Sequence, residues 1–196
     1  MEFRENYSIE SALHLLLEQI LASFESKKLV ATLLSCDISG AFDSISPSRL
    51  LYSLIQKGLP LWLISFIHSF THSHSTTLLL PRDESELFKL EDGVPQGSPL
   101  SIILFILYNS SLFDLVHSQG LGITSIKYAN NLNLLAISSS ASINCIQLRT
   151  LYDSFILPWA RKFGIQFTPQ KYELVHFSRS RRANLNSITL ATLDLN

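Results

Sequence analysis

Helical and extended signals do not alternate regularly along this chain. That order is not a regular βαβ alternation and favours an α+β fold, with helices backing an antiparallel sheet. Ile9, Leu13, Leu16, Leu17, Ile20 and Phe24 recur at spacings of three and four, which predicts an amphipathic helix over residues 8–26. Ser8 or Ser11 can cap its start, and Glu10 suits its first turn. Residues 29–36 form a short apolar run with β-branched members, bounded by Lys27-Lys28 and Asp37, and read as a buried strand followed by a loop over 38–42. Ser46-Pro47 and Ser98-Pro99 each mark a helix start, with serine at the cap and proline at the first helical position. The first of these helices should end near Gly58 and the second near Val116. Pro60 opens another, in which Leu63, Phe66, Ile67 and Phe70 keep the helical spacing. Residues 76–80 and 87–90 read as strands around a polar turn at 82–85. Residues 123–128 and 132–137 flank Asn130-Asn131 as a hairpin. A serine cluster at 138–140 leads into a long helix over about 141–163, with Pro158 placed to kink it and Gly164 to end it. Residues 172–177 are the last strand, before a basic cluster at Arg179, Arg181 and Arg182 and a polar tail.

Composition narrows the class. Of 196 residues, 46% are hydrophobic and 16% charged, which is too apolar for a disordered chain. Two cysteines, Cys36 and Cys145, are too few for a disulfide scaffold, and both read as buried reduced thiols. The apolar run 102–108 is too short to span a bilayer, which needs about 20 residues. The first residues carry no basic and apolar leader, so the expectation is an intracellular protein with no membrane partner. Fifteen Lys and Arg against sixteen Asp and Glu give no electrostatic sign of a nucleic-acid partner.

Three segments stand out: Cys36-Asp37-Ile38-Ser39-Gly40-Ala41-Phe42-Asp43, Gly93-Val94-Pro95-Gln96-Gly97-Ser98-Pro99-Leu100-Ser101, and Tyr128-Ala129-Asn130-Asn131. Singly, each has an ordinary structural explanation. An aspartate after a strand is often a turn residue or a cap. A Gly- and Pro-containing loop before a helix is often only a helix start. Two asparagines tolerate the backbone angles of a tight hairpin.

Together and in this order, the three resemble the motifs of the reverse transcriptase domain of non-LTR (LINE-type, jockey-like) retrotransposons. The first is similar to the motif around that family's leading metal-binding aspartate, the second to its Pro-Gln-Gly-Ser loop, and the third falls where the family has an aromatic residue, any residue and Asp-Asp. Phe3-Arg4, Ser8, Ala12-Leu13, Gly58-Leu59-Pro60, Trp62-Leu63, residues 75–78, Trp159-Ala160 and residues 171–177 fall in the family's order too, so the resemblance covers about 3–180. It implies a polymerase palm with partial fingers over 1–180 and a polar tail over 181–196.

The resemblance also implies a chemistry. A primer 3′-hydroxyl attacks the α-phosphate of a deoxynucleotide, with two Mg²⁺ ions about 4 Å apart stabilising the attacking and leaving oxygens. RNA template and DNA primer would be the partners. Asp37 matches the first carboxylate and Ile38 would lend its backbone carbonyl to the metal. Phe42 matches the bulky residue under the sugar, Gln96 and Gly97 the loop supporting template base and nucleotide, and Lys171 the basic residue near the departing pyrophosphate. Asn130 and Asn131 depart from the pattern, since two carboxylates should stand there. Asparagine keeps the shape but loses the charge, so the expectation is a domain that folds without polymerase activity. Ile102 in place of the family's proline, and Asn6-Tyr7 in place of Gly-Arg, are further departures. The chain starts at the upstream motif and stops soon after the palm, so most of the fingers and the thumb are expected to be missing. A weakly active polymerase and a non-catalytic module that binds nucleic acid or protein stay open as alternatives.

Lesser signals have plainer readings. Asp43 reads as a cap of the turn leading to the helix at Ser46-Pro47 rather than a second metal ligand. His68, His72 and His74 are close in sequence, but no histidine pair has zincin-like spacing with a glutamate between, and their helix is ending there, so a solvated face is expected. Leu61, Trp62, Phe66 and the run 102–108 are candidates for exposed apolar surface.

Overall fold

The computed structural model describes residues 9–25, 29–72, 74–78, 86–90, 93–128 and 130–179. The polar turn at 82–85, the upstream motif at 3–8 and the arginines at 181 and 182 lie outside them. Among the described residues the chain forms two compact units. The first takes in the chain through Ser39, then Leu112–Lys162, then the chain from Gln166 onward; the second takes in Gly40–Ser111 and Phe163–Ile165.

The first unit is built around strand β1 (Val30–Ser39), which is almost wholly buried, as its apolar run requires. Along one edge it pairs antiparallel with β5 (Asn131–Ser138), in register from Val30 opposite Ser138 to Asp37 opposite Asn131. Along the other it pairs antiparallel with β7 (Glu173–Phe177) and, beyond that, with the short β6 (Gln166–Phe167). β4 (Thr124–Tyr128) flanks β5 to complete a five-stranded sheet. The strand runs three residues further than its apolar stretch, because Asp37, Ile38 and Ser39 still have partners in β5 and β6.

Side chains alternate across a strand, so Ala31 and Leu33 share one face. That face is covered by α1 (Ile9–Glu25), whose Leu16, Ile20 and Phe24 pack with Ala31, Leu33, Leu135, Ile137 and Phe177. The expected helix therefore forms and buries the expected face; Ser11 lies inside it rather than capping it. Thr32 points to the opposite face, where α5 (Ala141–Leu151) lies. Asn144 of α5 donates its side-chain amide to the Val30 carbonyl at 2.8 Å and to Thr32 Oγ1 at 2.9 Å. Thr32 Oγ1 in turn meets His176 Nδ1 at 2.9 Å. Ser140 caps α5 through its hydroxyl, which accepts the Ile143 N–H. After α5 the chain makes one π-type turn (Tyr152–Ile156) and continues as α6 (Leu157–Phe163). The expected kink takes this form: Pro158 has no N–H for Ser154, and the wider turn, closed by Leu157 N–H on the Tyr152 carbonyl, absorbs the missing bond.

The second unit contains α2 (Pro47–Gln56), α3 (Leu61–Thr71) and the antiparallel pair β2 (His74–Leu78) and β3 (Glu86–Leu90). α2 starts at Pro47 as expected, but the Ser46 hydroxyl makes no capping bond; the position is the cap and the side chain is not. Leu61 and Trp62 are 77% and 72% exposed, and Phe66 is also exposed, as anticipated.

α4 (Pro99–Ser118) is longer than its apolar core suggested, and by length and composition alone it could cross a membrane. Its burial is one-sided: Leu104, Phe105, Tyr108, Leu112 and Val116 are buried, while Ile103 and Ile106 are exposed. That is the pattern of a core helix, and it divides the run 102–108 between inside and outside.

Candidate active site

Asp37 is the residue on which the first unit's polar cluster is built. It is 8% exposed, and it is neither a turn residue nor a cap, because it sits inside β1 opposite Asn131. A carboxylate buried to this degree must be hydrogen-bonded or paired. Both of its oxygens are. Oδ1 accepts from Asn130 Nδ2 at 2.8 Å, and Oδ2 accepts from Lys171 Nζ at 3.2 Å. The Asp37 backbone carbonyl accepts the Thr168 N–H at 2.8 Å.

The sheet supplies these partners directly. Tyr128 and Asn131 are register partners across β4 and β5, so Asn130 falls at the turn and Asn131 begins the strand. The expected two-asparagine turn is thus half correct, since Asn131 belongs to the ladder. The Asn130 carbonyl accepts the Ile38 N–H at 2.9 Å, and its side-chain nitrogen also approaches the Ile38 carbonyl at 3.4 Å. Both neighbours of that amide group are acceptors, so its nitrogen must face them. Lys171 closes the short 3₁₀ turn Pro169–Lys171 between β6 and β7, two strands that both pair with β1. Asp37, Ile38, Asn130, Asn131 and Lys171 are thereby brought together, Asn131 through its backbone. Arg179, the one described member of the basic cluster, lies elsewhere, over the Phe24 ring at 5.9 Å.

Cys36, next to Asp37 in β1, points to the opposite face of the strand. Cys36 and Cys145 are free and buried, as expected, and burial pushes the Cys36 thiol up to about 12. The Tyr152 and Tyr172 hydroxyls bond to each other. Burial raises Tyr152 to about 12 against the opposing effect of that bond, and burial together with the same bond raises Tyr172.

Phe42, Gln96 and Gly97 lie in the second unit, where they form a cluster of their own. The segment 40–45 and the loop over 93–97 are stitched by three contacts. Gly93 N–H donates to the Ile45 carbonyl at 3.0 Å, Val94 N–H to the Phe42 carbonyl at 3.1 Å, and Gln96 Nε2 to both Asp43 oxygens at 3.0 and 3.1 Å. The Asp43 carboxylate therefore bonds across to the neighbouring loop rather than capping the turn before α2. It anchors the glutamine side chain of the neighbouring loop, a role its position in the sequence did not reveal. Gly93 takes a φ of +92°, and a Cβ there would meet the Asp43 Cα at 3.1 Å and the Phe42 carbonyl at 3.2 Å. Phe42 packs on Phe105, ring centres 5.4 Å apart. Gly97 follows in the loop with a φ of +87°.

The donor set of the first cluster is one carboxylate, one neutral amide and one ammonium group. Two Mg²⁺ ions call for several anionic oxygens. Here the amide presents its N–H and the ammonium its charge to the single carboxylate, so these residues do not fit a pair of divalent cations. Among the described residues no group of three or more His, Cys, Asp or Glu is placed to hold a metal ion.

An antiparallel sheet with an aspartate on its central strand facing a β-hairpin tip, backed by helices, is the architecture of a polymerase palm. The chain belongs to the reverse transcriptase (RNA-dependent DNA polymerase) family, whose model matches residues 1–189. A search by sequence among curated proteins found no match. Among solved structures it is similar to apo telomerase from Candida tropicalis truncated from its C-terminal domain, at 16% identity and a TM-score of 0.67 over 90% of this chain and 36% of that one. It is also similar to telomerase from Candida albicans in complex with a TWJ fragment of telomeric RNA, at 13% identity and a TM-score of 0.68 over 94% of this chain and 33% of that one. At such identities the likeness concerns the fold. The chain spans about a third of the length of these structures.

Proposed function

We propose that this chain is a reverse transcriptase-like domain of non-LTR retrotransposon origin that has lost polymerase activity at its hairpin tip. The observation that carries the reading is the 2.8 Å bond from Asn130 Nδ2 to Asp37 Oδ1. In a working site of this family, the metal ions would neutralise carboxylates on both sides of that gap and activate the primer hydroxyl. Here Asn130 and Lys171 satisfy the one carboxylate themselves, and Asn131, directly across from Asp37, is uncharged. Each missing carboxylate removes a charge term worth roughly 4 kcal/mol at 4 Å and an effective dielectric of 20. Because each 1.36 kcal/mol of barrier is about tenfold in rate, activity should fall by several orders of magnitude. Phe42, Gln96 and Gly97 retain the family's residue types at the nucleotide-facing positions, with Gln96 committed to Asp43. RNA template and DNA primer remain the partners of the parent chemistry, and two free, buried cysteines support an intracellular setting.

Primer extension on an RNA template with Mg²⁺ tests the reading. We expect no extension by the native chain, and gain of extension in the double variant Asn130→Asp, Asn131→Asp. Robust extension by the native chain would refute it.

A further inference from the structure

Two exposed apolar surfaces play no part in the polymerase reading. The first is a ridge on α1. Leu16, Ile20 and Phe24 pack on the sheet, while Leu13, Leu17 and Leu21 recur every four residues beside them and are each about half exposed. The rim of this ridge is acidic: Glu10, Glu18 and Glu25 are exposed, and α1 holds no Lys or Arg.

The second is a platform on α2 and α3. Tyr52 and Ile55 lie one turn apart on α2, and Trp62 and Phe66 one turn apart on α3. All four, with Leu61, are at least half exposed. One short turn, residues 57–60, joins the two pairs. It is tightened by the Gly58 N–H on the Ile55 carbonyl at 2.9 Å and the Leu59 N–H on the Leu54 carbonyl at 3.2 Å. These five side chains leave roughly 500 Å² open to water, against about 800 Å² that each partner contributes to a stable interface. Tryptophan and tyrosine left open in this way are the residues that anchor such interfaces. The charges here are basic: residues 44–81 hold Arg49 and Lys57, both exposed, and no Asp or Glu.

We propose that the α1 ridge of one copy of this chain docks on the α2–α3 platform of a second copy. Leucines then meet aromatic rings, and the carboxylates of α1 meet Arg49 and Lys57. Ridge against ridge, or platform against platform, would set like charges together. The contact is therefore head-to-tail rather than symmetric. It stands whether or not the chain polymerises nucleotides.

Sedimentation velocity of the full chain over a rising concentration series is the test. The native chain should associate as concentration rises. Leu17→Glu and Trp62→Glu should each weaken that association at least about tenfold. Replacing Glu10, Glu18 and Glu25 together by glutamine should weaken it about tenfold. All these side chains face water, and circular dichroism checks that the variants fold. Mixed in equal amounts, the Leu17→Glu and Trp62→Glu chains should recover binding and stop at a one-to-one pair, because one brings the intact platform and the other the intact ridge. A native chain that stays monomeric at every concentration would overturn the proposal and leave the platform to a different protein. Association lost in only one of the two single variants, or a mixture that fails to pair, would overturn it as well.

Discussion

Replacing Asn130 by aspartate alone would set a second carboxylate against the Asp37 oxygen that now accepts an N–H at 2.8 Å. The lost donor and the new repulsion should together cost about 1–3 kcal/mol. Urea melts in EDTA should show that loss, and Mg²⁺ should recover part of it, because a cation can then bridge the two acids. Lys171→Met should cost less, about 1 kcal/mol at most, since the lysine is 66% exposed. Equal losses in the two variants would mean that the amide bond is not what holds Asp37. In the second unit, Gly93→Ala combines a left-handed φ with backbone atoms at 3.1 and 3.2 Å, neither of which is the free end of a side chain. It should destabilise by about 1–3 kcal/mol, read as a lower unfolding midpoint.

Among the elements, one side chain ties α5 to β1 by hydrogen bonds. Asn144 is fully buried and gives two hydrogen bonds to β1. Asn144→Ala should cost about 2–3 kcal/mol, by leaving the Val30 carbonyl and Thr32 with a lost donor inside the core; a change below about 0.5 kcal/mol would place the helix's support in its apolar contacts. Nothing in the sequence marks this residue, since a polar side chain within a helix pattern reads as surface. The elements themselves were legible: apolar spacing found α1, the proline starts found α2 and α4, and the run before Asp37 found β1. Their limits were not, because strand ends are set by partners distant in the chain. β1 reaches Ser39 only through β6, which is two residues long and has no periodicity to read. At the site, Asp37 facing Asn130 followed from the motif order. The Asp43–Gln96 contact did not, because it needs a side-chain geometry that spacing alone does not give.

At the scale of the whole molecule, the buried acids of the first unit set an alkaline limit. Cys36 would lose its proton near 9 when unfolded and near 12 when folded, and Tyr152 moves from 10 to about 12. Below pH 9 each group is protonated in both states and stability does not depend on it. As pH rises from there the unfolded chain releases the protons first, so it gains free energy that the native state does not. Stability therefore falls between pH 9 and about 12, at up to about 1.4 kcal/mol per pH unit for each group that titrates only when unfolded. Tyr172, also raised, acts in the same direction. The two tryptophans allow this to be read in the right place: Trp159 is buried in the first unit and Trp62 is exposed in the second. In a Trp62→Phe background, Trp159 fluorescence should report a urea midpoint that is level from about pH 7.5 to 8.5 and drops steadily above 9. Cys36→Ala in that background should lessen the first part of the drop, where the Cys36 and Cys145 thiols titrate, and leave the steeper fall above pH 10, where the tyrosines join them. A midpoint that stays level to pH 10.5 would mean that water reaches these groups in the folded state.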